Sequence, residues 1–301
     1  MTAARLLAVA STALALAACT RFDYAGEDSP TPVLSVAPLT PSPKVALVLG
    51  SGGPRGYAHI GIMKVLEEAG IGYDLVVGSS VGALIGAFWA NGFSAVEIDA
   101  LASRGGPLTL FDVSLFADRG WIRGQRLQDY VNNGLPVKTL ERMPRRVVIV
   151  ATRRADKVPV FFSNGNAGVA VRASSAVPRI ISPVGINGTE FEDADESLPV
   201  AVRAARQAGA RFVIAVDVSA KAGAAPKGTS KTLLERDAKR RSRIDPELAA
   251  ADFVIHPDLE YAAGPRRQYF VNAQADGELA ARQSLPRLVE RLRVAGLLDA
   301  D

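Results

Sequence analysis

Ser79 and Ser80 lie side by side in Gly78-Ser-Ser-Val-Gly82, a G-x-S-x-G pattern set between an apolar run that reads as a strand and one that reads as a helix. A sharp strand-to-helix turn pushes its central serine into an exposed, strained position, and glycines two residues to either side relieve the crowding. The helix that starts there points its positive end at the hydroxyl and at any oxyanion formed beside it. Ser80 is the central residue and the candidate nucleophile; Ser79 competes but lacks the symmetric glycines. Helix capping by Ser80 is the simpler alternative. One strand earlier, Gly50-Ser-Gly-Gly-Pro-Arg-Gly56 links a strand to a helix. It ends in Pro-Arg-Gly, not the Gly-Lys-Ser/Thr of a phosphate loop, and Asp74 lies at the start of the second strand, whereas a dinucleotide fingerprint wants an acid at its end. An oxyanion hole fits better, because adjacent parallel strands would bring this loop and Ser80 to the same carboxyl edge of a sheet.

Only two histidines are present, His59 and His256. A Ser-His-Asp triad would have to use one of them. His256 ends a late strand before Pro257, while His59 lies in the first helix and fits a core or loop-bracing role. One cysteine and two histidines are too few for a zinc site, and no metal or cofactor is expected.

Five motifs occur in a fixed order: Leu49-Gly-Ser-Gly-Gly-Pro-Arg-Gly56, Ala58-His-Ile-Gly61, Gly78-Ser-Ser-Val-Gly82, Ala170-Val-Arg-Ala-Ser-Ser-Ala-Val-Pro178, and Phe191-Glu-Asp-Ala194 running into Leu198-Pro-Val200. Together they resemble the patatin-like phospholipase family, over nearly the whole chain beyond Lys44. The resemblance implies a three-layer α/β/α fold with a mostly parallel central sheet, and hydrolysis of phospholipid or other fatty-acyl esters by a Ser-Asp dyad without histidine or cofactor. Carried over, Ser80 is the nucleophile and Asp193 accepts its proton. Gly52 and Gly53 supply oxyanion N–H groups, Arg55 beside them holds the loop or a headgroup, and Gly78 and Gly82 frame the turn.

Two positions depart from the family pattern. Ser51 stands where the glycine loop usually has glycine, and Asp193-Ala194-Asp195 replaces Asp-Gly-Gly or Asp-Gly-Ala. Asp195 is therefore a rival acid, and two close carboxylates would raise the pKa of one of them. The departure also motivates an alternative: a lipid-binding envelope lipoprotein with weakened chemistry. Nucleotide binding through the glycine loop is a third class.

The elements that must position these residues alternate. Strands are expected over 44–49, 74–77, 146–152, 158–162, 211–218 and 252–256, with a hairpin over 186–191 turning at Asn187-Gly188. Helices are expected from Ile60 to Ala69, after Ser80 to Gly92, over 169–176 and 198–208, and over 275–295 near the C-terminus. Between Ser94 and Pro144, Trp121 and Leu127 are expected packing anchors. Residues 221–243 read as a mobile basic stretch, whose Lys239-Arg-Arg-Ser-Arg243 is either solvated or turned to anionic headgroups. Such alternation predicts a single α/β domain over 44–301.

Ahead of it, Arg5, the apolar run Leu6–Ala18 and the ending Leu16-Ala-Ala-Cys19 predict a lipoprotein signal segment over 1–18, with Cys19 lipidated. Residues 19–43, rich in Pro, Ser and Thr, predict an extended tether. By resemblance to Gram-negative lipoproteins, Thr20 after the cysteine favours the periplasmic face of the outer membrane. The 301 residues are 48% hydrophobic and 22% charged, with a formal net charge of +4. This composition excludes a disordered chain and gives no reason to expect nucleic acid, while a membrane surface stays open as a partner. Oligomeric state is not encoded in any motif.

Overall fold

A computed structural model describes residues 23–105, 110–115 and 117–298; the expected signal segment and Cys19 lie outside them. The β2 strand (Val45–Leu49) pairs in parallel with β3 (Leu75–Ser79) and with β8 (Phe212–Val216), β3 pairs in parallel with β4 (Arg146–Arg153), and β8 with β9 (Phe253–Ile255). β5 (Val158–Phe162) folds back antiparallel on β4. The hairpin β6 (Val184–Ile186)–β7 (Thr189–Glu192) joins β4 through β7 and turns at Asn187 and Gly188, both with positive φ. Asn-Gly supplies that backbone at low cost. β1 (Asp23–Tyr24) completes the order β1-β6-β7-β4-β3-β2-β8-β9.

Strands such as Val45-Ala-Leu-Val-Leu49 are continuous apolar runs because both faces are buried. Val45, Leu47 and Leu49 face one core with α1 (Tyr57–Glu68), α2 (Val81–Ala90), α3 (Ala95–Gly105), α4 (Gln125–Gly134), α5 (Ala167–Ser174) and the long α8 (Arg267–Val294). Ala46 and Val48 face a second, alanine-rich core with α6 (Val202–Gln207) and Ile244 of α7 (Lys231–Leu248). The result is the expected three-layer α/β/α arrangement with a mostly parallel sheet.

Several expectations need correction. The described part of the tether is docked: β1 pairs with β6, Val33 bridges Phe161, Val36 is buried, and the Leu39 N–H donates to the Ala208 carbonyl at 3.0 Å. Its prolines forbid helix yet suit an extended strap along a sheet edge. Residues 231–243 form most of α7 instead of a mobile stretch, started by Ser230, whose side chain accepts from the Leu233 N–H. The expected 198–208 helix shrinks to Val202–Gln207, freeing the Leu198 and Pro199 carbonyls to accept hydrogen bonds from neighbouring loops. Leu127 is buried, but Trp121 is 66% exposed.

Candidate active site

The carboxyl ends of β2 and β3 carry the two loops that matter. At the end of β3 the chain turns into α2 through Ser80, whose φ of 54° and ψ of −117° are strained for a residue with a Cβ. The turn is tight enough that a Cβ on Gly82 would stand 2.2 Å from the Leu49 carbonyl oxygen, and one on Gly78 2.4 Å from that of Gly82. Both glycines are therefore steric requirements of the turn. Ser80 makes no side-chain capping bond to α2. Its Oγ instead donates to Asp193 Oδ2 at 2.8 Å, and its N–H donates to Ser174 Oγ at 2.8 Å. Ser79 is turned away and donates to the Leu198 carbonyl at 3.0 Å.

Asp193 follows β7 and is held from three sides. Its N–H donates to the Ala176 carbonyl at 3.0 Å, its own carbonyl accepts from Thr152 Oγ1 at 2.8 Å, and its Oδ1 accepts from the Asp195 N–H at 2.7 Å. Neither Ala194 nor Asp195 has a positive φ. The turn continues instead as a short 3-10 helix capped by Asp193, so it does not require the glycine that stands there in the family pattern. Burial pushes the Asp193 carboxyl up to about 7, helped by the Asp195 charge and opposed by the Asp195 N–H and the Ser80 hydroxyl. A base near neutrality is suited to taking a proton from a serine.

The glycine loop lies beside this pair. Gly53 has a φ of +54°, in the left-handed region where glycine carries no penalty. Gly50 and Ser51 spend their N–H groups on the Val216 and Pro199 carbonyls. Among the described residues, those of Gly52 and Gly53 meet no acceptor, which leaves them available to a developing oxyanion. Arg55 donates to the Tyr261 carbonyl, so it braces the loop against the segment before α8. Ser51 Oγ donates to Asp195 Oδ1, and both contact Arg240 of α7, with Nε 2.7 Å from Asp195 Oδ1 and Nη2 2.9 Å from Ser51 Oγ.

The histidines stand apart from Ser80. His59 Nε2 is 2.8 Å from the Gly50 carbonyl; because a carbonyl only accepts, that nitrogen carries the proton. Burial lowers its pKa to about 4, so His59 is a neutral brace under the glycine loop. His256 Nε2 meets the Ser219 carbonyl at 2.9 Å, and Asp217 lies 3.7 Å away. Among the described residues no group of three or more His, Cys, Asp or Glu side chains gathers as metal ligands would.

Three contributors escape a reading of motifs alone. Ser174 and Ala176 tie the nucleophile and the acid to the same helix end, and Arg240 joins the glycine loop to the acid's turn. The Ser-Ser-Ala stretch inside Ala170–Pro178 marks the first two, whereas Arg240 is one of several arginines in a charged run. Exposed apolar residues form a ridge joined to the segment that follows Ala176: Val113 at 76%, Leu115 at 88%, Trp121 at 66% and Ile180 at 50% exposure. Ser114 and Trp121 are joined by backbone, as are Trp121 and Ile180. Ile180 lies four residues beyond Ala176, the carbonyl partner of Asp193, so their Cα atoms are at most about 14 Å apart.

Comparisons with known proteins bear on the family and the fold. Residues 47–195 match the family described as patatin-like phospholipase. An NTE-family protein of Mycobacterium tuberculosis is 36% identical over 186 residues, covering 59% of this chain and 50% of that protein. Lysophospholipase NTE1 of Scheffersomyces stipitis is 27% identical over 208 residues, covering 66% of this chain and 13% of that protein. The chain thus matches about half the length of the mycobacterial relative and a small part of the fungal one. Among solved structures, VipD from Legionella pneumophila superposes with a TM-score of 0.55 at 14% identity, covering 81% of this chain and 66% of that one, a likeness of fold alone. By its family match and its relatives, the chain belongs to the patatin-like phospholipase family.

Proposed function

We propose that this protein is a serine acyl hydrolase that cleaves fatty-acyl esters of phospholipids or lysophospholipids through Ser80 and Asp193. The observation that carries this is the 2.8 Å bond from Ser80 Oγ to the fully buried Asp193 carboxylate, made by a serine held in a strained turn. Asp193 accepts the hydroxyl proton as Oγ attacks the ester carbonyl, and the oxyanion forms against the Gly52 and Gly53 N–H groups. Asp193 then returns the proton to the departing alcohol. A water deprotonated by Asp193 attacks the acyl-enzyme and releases the fatty acid, restoring Ser80.

The names of the NTE relatives support a lysophospholipid-type substrate, and the apolar ridge supports access from a lipid surface. Exposed Arg126 and Arg179 near the ridge suit anionic headgroups. Among the described residues no helix is long and apolar enough to cross a membrane. Attachment through a lipidated Cys19, on the periplasmic face of the outer membrane, is part of the same proposal, and a Cys19→Ser chain would then partition to the soluble fraction. The bond between Ser80 and Asp193 favours hydrolysis over the alternative of a lipid-binding protein with weakened chemistry.

A fluorophosphonate probe is expected to label the protein, and Ser80→Ala to abolish labelling together with release of fatty acid from lysophosphatidylcholine. Labelling that persists in Ser80→Ala would remove the nucleophile from this scheme.

A further inference from the structure

The face of α7 that carries Asp237, Arg240, Arg241 and Ile244 has the spacing i, i+3, i+4, i+7 of one helical stripe, and it is turned inward. Ile244 is buried in the second core. Asp237 Oδ2 accepts from Tyr261 OH at 2.5 Å, and Arg241 Nη1 donates to Asp217 Oδ2 at 2.6 Å. Arg240 reaches furthest into the site. Its Nε donates to Asp195 Oδ1 at 2.7 Å, while its Nη2 donates to the Ser51 carbonyl at 2.8 Å and to Ser51 Oγ at 2.9 Å. The guanidinium side chain is 16% exposed. One planar fork therefore spans two loops that are 144 residues apart in the chain.

Both residues it joins depart from the family pattern, as does Ala194 beside Asp195. Ser51 immediately precedes Gly52 and Gly53, the proposed oxyanion donors, and Asp195 donates its N–H to Asp193. A serine and an aspartate that a motif comparison treats as separate irregularities are here one hydrogen-bonded unit, completed by a cation from a third element.

We propose that Arg240 is a positioning residue of this site, which locks the glycine loop to the acid-bearing turn through Ser51 and Asp195 and offsets the Asp195 charge that faces Asp193. The inference rests on the reading of Asp193 as the proton acceptor. Charged groups facing Asp193 come from few directions. Its own turn brings Asp195 and Glu196, and the preceding Glu192 is paired with Lys157. From α7 come Arg240 and also Arg243, whose Nη1 donates to the Asp195 carbonyl at 3.1 Å. The remaining partners of Asp193, the Ser80 hydroxyl, Thr152 on β4 and the Ala176 carbonyl just beyond α5, are uncharged. Arg240 is thus the cation in direct contact with the carboxylate that most disfavours ionisation of Asp193.

The full chain in detergent serves for the test, with two readouts. The first is the pH dependence of Ser80 labelling by a fluorophosphonate. The second is direct titration of Asp193 by carbon-13 NMR of aspartate-labelled protein, assigned with Asp193→Asn, which does not depend on catalysis. Arg240→Gln should move both the acid limb and the Asp193 titration upward by about one pH unit. Arg240→Gln with Asp195→Asn should bring them back to or below the wild-type position. Arg240→Lys keeps the charge but not the fork, so it should hold the titration near wild type while slowing labelling.

An Asp193 titration unmoved in Arg240→Gln, or raised equally in the double variant, would overturn the proposal. Should Arg240→Gln fail to fold, Asp195→Asn alone carries the test: the Asp193 titration should fall, and an unchanged one overturns the electrostatic role. A wild-type chain that resists the probe while the NMR titrations shift as described would sink the proposed hydrolysis and leave the positioning role standing.

Discussion

The turn that holds Ser80 and the turn that holds Asp193 meet at one hydrogen bond but are built by different means. The serine's turn is shaped by close sterics: its strain is imposed by the end of β3 and the start of α2, and its clearances are set by Gly78, Gly82 and the Leu49 carbonyl of the adjacent strand β2. The acid's turn has no glycine to shape it. It is shaped from outside, by Thr152, Ala176, Ser51 and Arg240, which lie between 17 and 144 residues away in the chain. A site can thus pair a nucleophile fixed by short-range sterics with an acid fixed by tertiary contacts. The first half tolerates little change, while the second can exchange its supports as long as the carboxylate stays in place.

Breaking the local half should have the larger effect. Gly82→Ala puts a methyl group 2.2 Å from a backbone carbonyl, where relief requires the strand end or α2 to move. Loss of essentially all labelling at Ser80, with destabilisation of about 3 kcal/mol or more, is expected from denaturant unfolding. On the other side, Asp193→Asn removes the proton acceptor yet keeps the shape, and hydrolysis should fall by about 10³-fold. Its stability should move the opposite way. In the fold Asp193 binds its proton up to about 7, against a reference value of 3.8. Between those values the native state holds a proton that the unfolded chain has released, so this group's contribution to stability declines as pH rises through that window. Asp193→Asn should therefore raise Tm at pH 8 by about 5 °C and leave it little changed at pH 4, as read by circular dichroism. A variant less stable than wild type at both pH values would mean that the buried carboxylate is not the strained element.

The same contrast sets how much was legible in the sequence. The elbow, the glycine loop and the strand runs were legible because their causes are neighbours: a turn needs its glycines, and a strand buried on both faces needs a continuous apolar run. The acid could be named only through the resemblance, since Asp193 and Asp195 are indistinguishable by residue type. Arg240 was hidden because an arginine in a charged run looks solvated until the stripe it belongs to is known to face inward. Trp121 misled for the converse reason. Large aromatic residues usually pack, and nothing adjacent to Trp121 in the chain signals that it stands on an exposed ridge.

That ridge extends the comparison beyond the dyad, since its residues play no part in holding either turn. Trp121→Ser should lower hydrolysis of phospholipid vesicles by about tenfold while sparing a soluble short-chain ester. The chain has two tryptophans, and Trp89 is buried. A blue shift of the emission on adding anionic vesicles to Ser80→Ala protein, lost in the double variant with Trp121→Ser, would locate the contact at the ridge. Equal loss on vesicles and on the soluble ester would place Trp121 in the support of the site instead.

The smallest effect is expected where the outside support is trimmed without being removed. Ser51→Gly restores the glycine of the family pattern and deletes the hydroxyl that links Asp195 to Arg240. Two bonds survive it: Arg240 Nη2 still reaches the residue 51 carbonyl, and Arg240 Nε still reaches Asp195. The charge facing Asp193 is therefore still balanced, and the loss is the hydroxyl's two hydrogen bonds, one donated to Asp195 and one accepted from Arg240. Stability should drop by about 2 kcal/mol and labelling of Ser80 by roughly two- to threefold, with its acid limb unmoved. A loss as deep as that of Arg240→Gln would show that the serine hydroxyl, not the guanidinium, holds the two turns together. In that case the acid's half of the site would be as intolerant of change as the nucleophile's.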